Sequence, residues 1–310
     1  MIFTKARKPN TNSGLSEENF SDASHPVKRY TEWWYFNFFY NKNDAVAGIF
    51  KIENNVPEIW IFIKEKGKKE IYQRRKFKFK KFKASTKHCD TEIAGNYFRE
   101  KNGRYEIKIN FGSVKLDVKF KNNYDWPDNK IYRDIGRGQK IFWICPCVRG
   151  KVSGTLEFDG EKKYISGIIF HDHVWHNIGA ISIYRDFKGW FWGVNYYSDG
   201  FSLYADVDLG RRGDYRFFFS DRGGKRLKVV DDPELQFKKG KAMREIDIVY
   251  KKKVLHRIAL DQRTSIYQWG TGRIIKFIVH RLLGLSQYHC LGTEKNVNTD
   301  RDYIEILQKG

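Results

Sequence analysis

Apolar residues along this chain fall into short runs or recur at every second position, and Gly, Asn and Asp break them at close intervals. The breaks at Asn41-Lys42-Asn43-Asp44, Lys101-Asn102-Gly103, Asp159-Gly160 and Asp221-Arg222-Gly223-Gly224 predict the turns of a meandering all-β fold. Tyr164 to Phe170 is β-branched and aromatic and reads as a strand entering a core. Gly189 to Leu209, GWFWGVNYYSDGFSLYADVDL, holds two strand-like runs around Ser198-Asp199-Gly200, a hairpin signal that makes Asp199 a turn residue. On the returning strand Tyr204 and Asp206 share a face. The run Glu32 to Tyr40, EWWYFNFFY, is aromatic on both faces. It suits a strand that lines a barrel on one side and is covered on the other, although such runs are more often plain core than ligand cage. One segment has a helical period: in Arg273 to Leu285, RIIKFIVHRLLGL, Arg273, Lys276 and His280 fall on one side and Ile274, Ile278, Leu282 and Leu285 on another. It predicts a short C-terminal helix packed against sheet, able to touch a membrane if it lies near a barrel mouth.

The 310 residues, 41% hydrophobic and 16% aromatic, suffice for two domains with cores of their own. We place a polar N-terminal arm at residues 1–25, a first domain at 26–150 and a second at 151–310. The boundary is set near Arg149-Gly150, after a turn at Cys145-Pro146-Cys147. The arm has no apolar core of a signal peptide, and no stretch approaches the ~20 apolar residues that span a bilayer. Cys89, Cys145, Cys147 and Cys290 are too few and too irregular for a disulfide framework or zinc ribbon. The expected location is the cytoplasm, peripheral at the inner membrane surface.

A net charge of +21 raises nucleic acid and anionic membrane as partners. The richest run, Gln73 to Lys83 (QRRKFKFKKFK), alternates basic and aromatic residues as a half-solvated strand does. Phe77, Phe79 and Phe82 would point mostly inward, with a slip near Lys80-Lys81. No RNA-binding motif accompanies it, so nucleic acid is the weaker expectation and peripheral contact with an anionic membrane the stronger.

Candidate chemistry concentrates in one window, HDHVWH, where His171, Asp172, His173, Trp175 and His176 follow an apolar run. Three readings compete. His171 and His173 share a strand face and could hold zinc, but Asp172 alternates away and no second ligand group has a matching spacing. Buried histidines satisfied by carboxylates are the bland alternative. An acid–base set in a pocket is the reading we favour, because imidazole titrates near neutrality and a desolvated carboxyl can stay protonated. No metal is expected.

EWWYF, GTLEFDGEKKYISGIIFHDHVWHNIG, GWFWG and LYAD together resemble the carotenoid hydratase (hydroxyneurosporene synthase) family. The likeness runs from about Pro26 to Tyr303-Ile304-Glu305. Its wider relatives are lipocalin-like proteins including AttH-like proteins, tocopherol cyclases and some fungal pericyclases. The resemblance implies two consecutive lipocalin-like (calycin) β-barrels with a ligand pocket at or between them. It also carries a His-x-Trp pair onto His173 and Trp175 and a Tyr-x-Asp pair onto Tyr204 and Asp206. Tyr197 and Asp199 have the same spacing, but the turn at Asp199 favours the later pair. The usual DHNWG reads DHVWHNIG here, with a different residue before Trp175 and no Gly after it.

The resulting expectation is a cofactor-independent hydro-lyase that adds water to a terminal C=C bond of an isoprenoid or polyene lipid. Protonated Asp206 would be the acid, Trp175 and Tyr204 would stabilise the carbocation, and His173 would handle the water with Asp172 fixing its tautomer. Trp33, Trp34, Tyr35, His171, Trp190 and Trp192 are the candidate substrate-lining side chains. A non-catalytic lipid-binding protein and a cyclase or pericyclase using the same pocket are the alternatives.

Overall fold

The computed structural model describes residues 30–41, 44–85, 88–124, 130–134, 139–177, 189–208, 214–239, 245–265, 285–294 and 301–309. These residues are almost wholly strand, and they form two compact units, 1–178 and 179–310.

The first unit carries β1 (Thr31–Asn41), β2 (Asp44–Glu53), β3 (Val56–Lys64), β4 (Ile71–Lys76), β5 (Phe82–Ala84), β6 (Asp90–Ile93) and β7 (Asn96–Lys101). It continues with β8 (Arg104–Phe111), β9 (Val114–Asn122), β10 (Lys130–Asp134), β11 (Lys140–Phe158) and β12 (Glu161–His176). All pairings are antiparallel, in the order β4-β3-β2-β1-β12-β11-β9-β8-β7-β6-β5, with β10 on β11. The sheet curls until Phe36, Phe50, Ile61, Phe98, Ile107 and Ile169, from both of its halves, share one apolar interior. In β8 and β9 buried and exposed residues alternate almost strictly, as a one-sided sheet requires. β1 is buried on both faces, as its double-sided aromatic content predicts.

The domain boundary falls at 178/179, not near Arg149-Gly150. The physical reason is pairing: β11 bonds to β9 and β12 to β1, so the two long strands complete the first sheet. The HDHVWH window therefore belongs to the first unit. The expected Cys-Pro-Cys turn is an irregularity inside β11, where the register shifts between Ile144 and Cys147 and again before Gly150. Pro146 has no N–H to give the ladder, and a bulge absorbs the missing bond. The basic run from Gln73 to Lys83 is not one strand either. β4 stops at Lys76, a single 3₁₀ turn spans Phe79–Lys81 at the expected slip, and only Phe82 of the three phenylalanines is fully buried.

Asn102 and Gly103, like Asp159 and Gly160, sit at positive φ (56°, 72°, 50° and 79°), the backbone of two-residue type I′ hairpin turns. Gly167 of β12 serves close approach instead: a Cβ there would overlap the carbonyl oxygen of Phe39, beside the β1 irregularity at Phe39/Asn41. Gly167→Ala should therefore lower stability by about 1–3 kcal/mol, read as a fall in the urea midpoint.

The second unit comprises β13 (Gly189–Tyr197), β14 (Gly200–Asp208), β15 (Asp214–Arg222), β16 (Lys225–Val230), β17 (Gln236–Lys239), β18 (Glu245–Tyr250), β19 (Lys253–Ser265), β20 (Leu285–Glu294) and β21 (Arg301–Lys309). Its order is β16-β15-β14-β13-β21-β20-β19-β18-β17, and Phe191, Tyr204, Phe218, Val229, Ile246 and Ile248 are in its apolar interior. The β13–β14 hairpin turns at Ser198-Asp199, with Tyr197 opposite Gly200, as predicted. The helical pattern of Arg273–Leu285 lies outside the described residues except for Leu285, which opens β20, and the N-terminal arm lies outside them too.

Candidate functional site

The register of β1 on β12 decides which residues of the HDHVWH window can act together. Glu32 lies opposite Trp175, Trp34 opposite His173 and Phe36 opposite His171. Side chains alternate along a strand, so these six share one face. It is the interior face, since Trp34 and Phe36 are part of the apolar core. Asp172, Val174 and His176 take the other face with Thr31, Trp33 and Tyr35.

On the interior face Glu32 and His173 are both 0% exposed, and Glu32 Oε1 lies 2.8 Å from His173 Nε2. The second carboxylate oxygen accepts from the hydroxyl of half-buried Tyr30 at 2.8 Å. A carboxylate is buried at this depth only with such partners, because an unpaired charge in an apolar interior is expensive. The Trp34 ring stacks on the His173 imidazole, centroids 4.8 Å apart and planes at 15°. Trp34 Nε1 is buried and has no hydrogen-bond partner among the described residues. Trp175, half-buried, stacks between Phe142 (6.1 Å, 12°) and Tyr30 (6.4 Å, 25°).

His171 is a different kind of histidine. Its Nδ1 donates to the Tyr35 carbonyl at 2.7 Å, which fixes the tautomer, and Phe98 and Tyr105 pack around the ring at 4.4 and 5.4 Å. It is a satisfied core histidine, but its partner is a backbone carbonyl and not the carboxylate of the bland reading.

On the opposite face Asp172 Oδ2 accepts from Trp143 Nε1 at 3.0 Å. The expectation that Asp172 fixes the His173 tautomer is thereby corrected: alternation turns the two apart, and Glu32 takes the role. Trp33, edge-on to His176 at 5.7 Å, and Tyr35, whose hydroxyl accepts from Asn37 Nδ2 at 3.1 Å, also lie away from His173. Of the three expected aromatic residues of β1, Trp34 alone joins it. Burial pushes His176 down to about 4, helped by Lys51 and opposed by Glu53. Burial, then Asp172 and Cys147, raises the Cys145 thiol well above its usual range.

Tyr204 and Asp206 belong to the second unit. Tyr204 is in its interior, stacked on Phe191 at 5.5 Å with His256 at 5.7 Å. Asp206 accepts from Arg216 Nε at 2.9 Å across the β14–β15 pair. The Asp206 carboxyl group thus already has a charged partner on the neighbouring strand. Asp199 is the turn residue expected, with Arg222 3.7 Å away. Trp192 is buried on the face of β13 opposite Phe191, and the Trp190 side chain lies outside the described residues. The His-x-Trp and Tyr-x-Asp pairs thus stand on two separate sheets.

Glu32, Tyr30 and His256 escaped the sequence reading. Glu32 had a signal: it is the one acid in EWWYFNFFY, and an acid inside an aromatic strand demands a partner. Tyr30 and His256 had none. Among the described residues no three His, Cys, Asp or Glu side chains converge as a metal-ligand set.

No protein-family model matches this sequence, and no curated protein matches it. Solved structures do. An AttH-type protein of Nitrosomonas europaea superposes with a TM-score of 0.64 at 12% identity, over 90% of this chain and 93% of that one. CghA with Sch210972 gives 0.62 at 9% identity, over 98% and 93%. Kievitone hydratase of Nectria haematococca gives 0.56 at 13% identity, over 98% and 96%. At such identities the likeness is one of fold, and this chain has the all-β, lipocalin-like fold of those proteins.

Proposed function

We propose that this chain is an enzyme that uses the Glu32–His173 pair for proton transfer to and from an apolar, unsaturated substrate, and that the net reaction is hydration of a C=C bond. The observation that carries the reading is the grouping at one point of a buried interior: a carboxylate–imidazole pair, the π face of Trp34 on the imidazole, and the Trp34 N–H buried without a partner. The first is a proton donor and acceptor, the second stabilises nearby positive charge, and the third can hold an oxygen.

In this reading the pair protonates the less substituted alkene carbon, and the π electrons form the new C–H bond. A tertiary cation remains beside Trp34. Water, held by the Trp34 N–H, adds to it and returns a proton to the pair, so the enzyme ends as it began and the product has gained one water. Tyr30, half-buried and bonded to Glu32, links the pair toward solvent. Hydration is also the reaction named for one protein of the same fold, kievitone hydratase. An isoprenoid or polyene lipid is the substrate class we propose, from the apolar interior and the sequence resemblance.

The test is incubation of the protein with linear polyenes and prenylated phenols in heavy-oxygen water, read by mass spectrometry. We expect a product one water heavier that carries the label, no product with Glu32→Gln, and turnover lowered about 100–1,000-fold with Trp34→Phe, the loss expected when a positioned hydrogen bond is removed. Label incorporation that survives Glu32→Gln undiminished would exclude the pair from the chemistry.

A further inference from the structure

We infer that the interior of the second unit is a separate binding site, for an otherwise apolar molecule that carries an alcohol or phenol hydroxyl. Asn195 of β13 is 0% exposed, and neither its amide oxygen nor its amide nitrogen is hydrogen-bonded among the described residues. A primary amide left so in a native interior is rare and costly, because both its donors and its acceptor lose water.

Alternation places Asn195 on the same face as Phe191 and Tyr197, which is the face of the apolar interior. Directly opposite on β14 stands Ser202, whose hydroxyl donates to Ser220 of β15 at 3.2 Å. Two residues along β13, the Tyr197 hydroxyl meets His256 Nδ1 at 3.1 Å, and the His256 ring also lies against Tyr204. The amide is thus flanked by polar groups already engaged with one another, while Phe191, Phe218 and Val229 supply apolar surface. A hydroxyl is the complement of what remains: it donates one bond to the Asn195 oxygen and accepts one from its nitrogen. At the turn end of the hairpin the Arg222 guanidinium lies 3.9 Å above the Tyr197 ring and is partly exposed, which marks the end from which a ligand would enter.

The probes are 2-naphthol and, as its hydroxyl-free counterpart, 2-methylnaphthalene, titrated calorimetrically into the full chain. We expect Asn195→Leu to weaken 2-naphthol about tenfold or more and to leave 2-methylnaphthalene bound at least as well. The same variant should melt at a higher temperature, because leucine keeps the branching at Cγ and removes the unpaired amide. A structural asparagine would behave oppositely, so a lower melting temperature or failure to fold overturns the inference. Equal weakening of both probes, or of neither, overturns it as well. Trp34→Phe serves as the control for the first unit and should leave 2-naphthol affinity unchanged; loss there with Asn195→Leu silent would place the probe elsewhere. In the unaltered protein 2-naphthol should also shift the Asn195 side-chain amide resonance, identified as the pair absent from Asn195→Leu, and an unmoved resonance counts against the site.

Discussion

His173→Leu should cost about 3–5 kcal/mol of folding free energy, because it strands the Glu32 carboxylate in an apolar interior with the Tyr30 hydroxyl as its remaining bonded partner. Removing the other partner as well should recover most of that loss. A buried pair exchanged whole for apolar side chains of similar volume is often neutral or stabilising, since the desolvation of two polar groups disappears along with their attraction. Chemical denaturation of the parent, the two single Leu variants and the double variant gives the coupling directly. A double variant no more stable than His173→Leu would mean that His173 contributes through its stack on Trp34 and not through Glu32. All three variants should lack turnover, so the double variant separates what the pair does for chemistry from what it does for stability.

The strand content, the hairpins and the two-unit organisation were legible because each rests on local chemistry. Asn102-Gly103 and Asp159-Gly160 adopt positive φ cheaply, and β-branched and aromatic runs suit a pleated surface. Partnership across 100 or more residues was not legible. The sequence places Asp172 beside His173, and adjacency suggested that one orients the other. In a strand adjacency means opposite faces, and the true partner, Glu32, lies 141 residues away. The same register splits Trp33 and Tyr35 from Trp34. Knowing that β1 pairs with β12 would have sorted every one of these residues at once.

The misplaced boundary has a related cause. Cys-Pro-Cys followed by Gly150 has the composition of a break, yet β11 passes through it by shifting register and continues to Phe158. What ends the first unit is completion of its sheet by β12, a property of pairing that no local composition reports. The Tyr-x-Asp reading met a different limit. Spacing put Tyr204 and Asp206 on one face without saying whether it meets the interior or solvent, and Arg216 arrives from the next strand to pair with Asp206. Spacing along one strand does not report which side chain the next strand brings to it.

Acidification should weaken the first unit well above the range in which ordinary carboxylates titrate, through His176. Burial lowers this imidazole from 6.5 to about 4 in the folded protein, with Lys51 adding to the effect and Glu53 opposing it. The folded chain therefore holds His176 neutral, while the unfolded chain takes up a proton as pH falls below 6.5. Between those values the unfolded state binds more protons, so stability rises with pH: it is fully present above about 6.5 and is lost progressively down to about 4. The gap corresponds to about 3 kcal/mol, a sizeable part of what holds a domain folded. His176→Phe keeps a ring against Trp33 and removes the titration. Urea midpoints at pH 7 and pH 4.5 should fall apart for the parent and stay much closer for the variant, with the difference between the two proteins largest at the lower pH. If both lose stability equally on acidification, the loss comes from carboxylate pairs such as Glu58 with Arg74, and His176 takes up its proton without opening the fold.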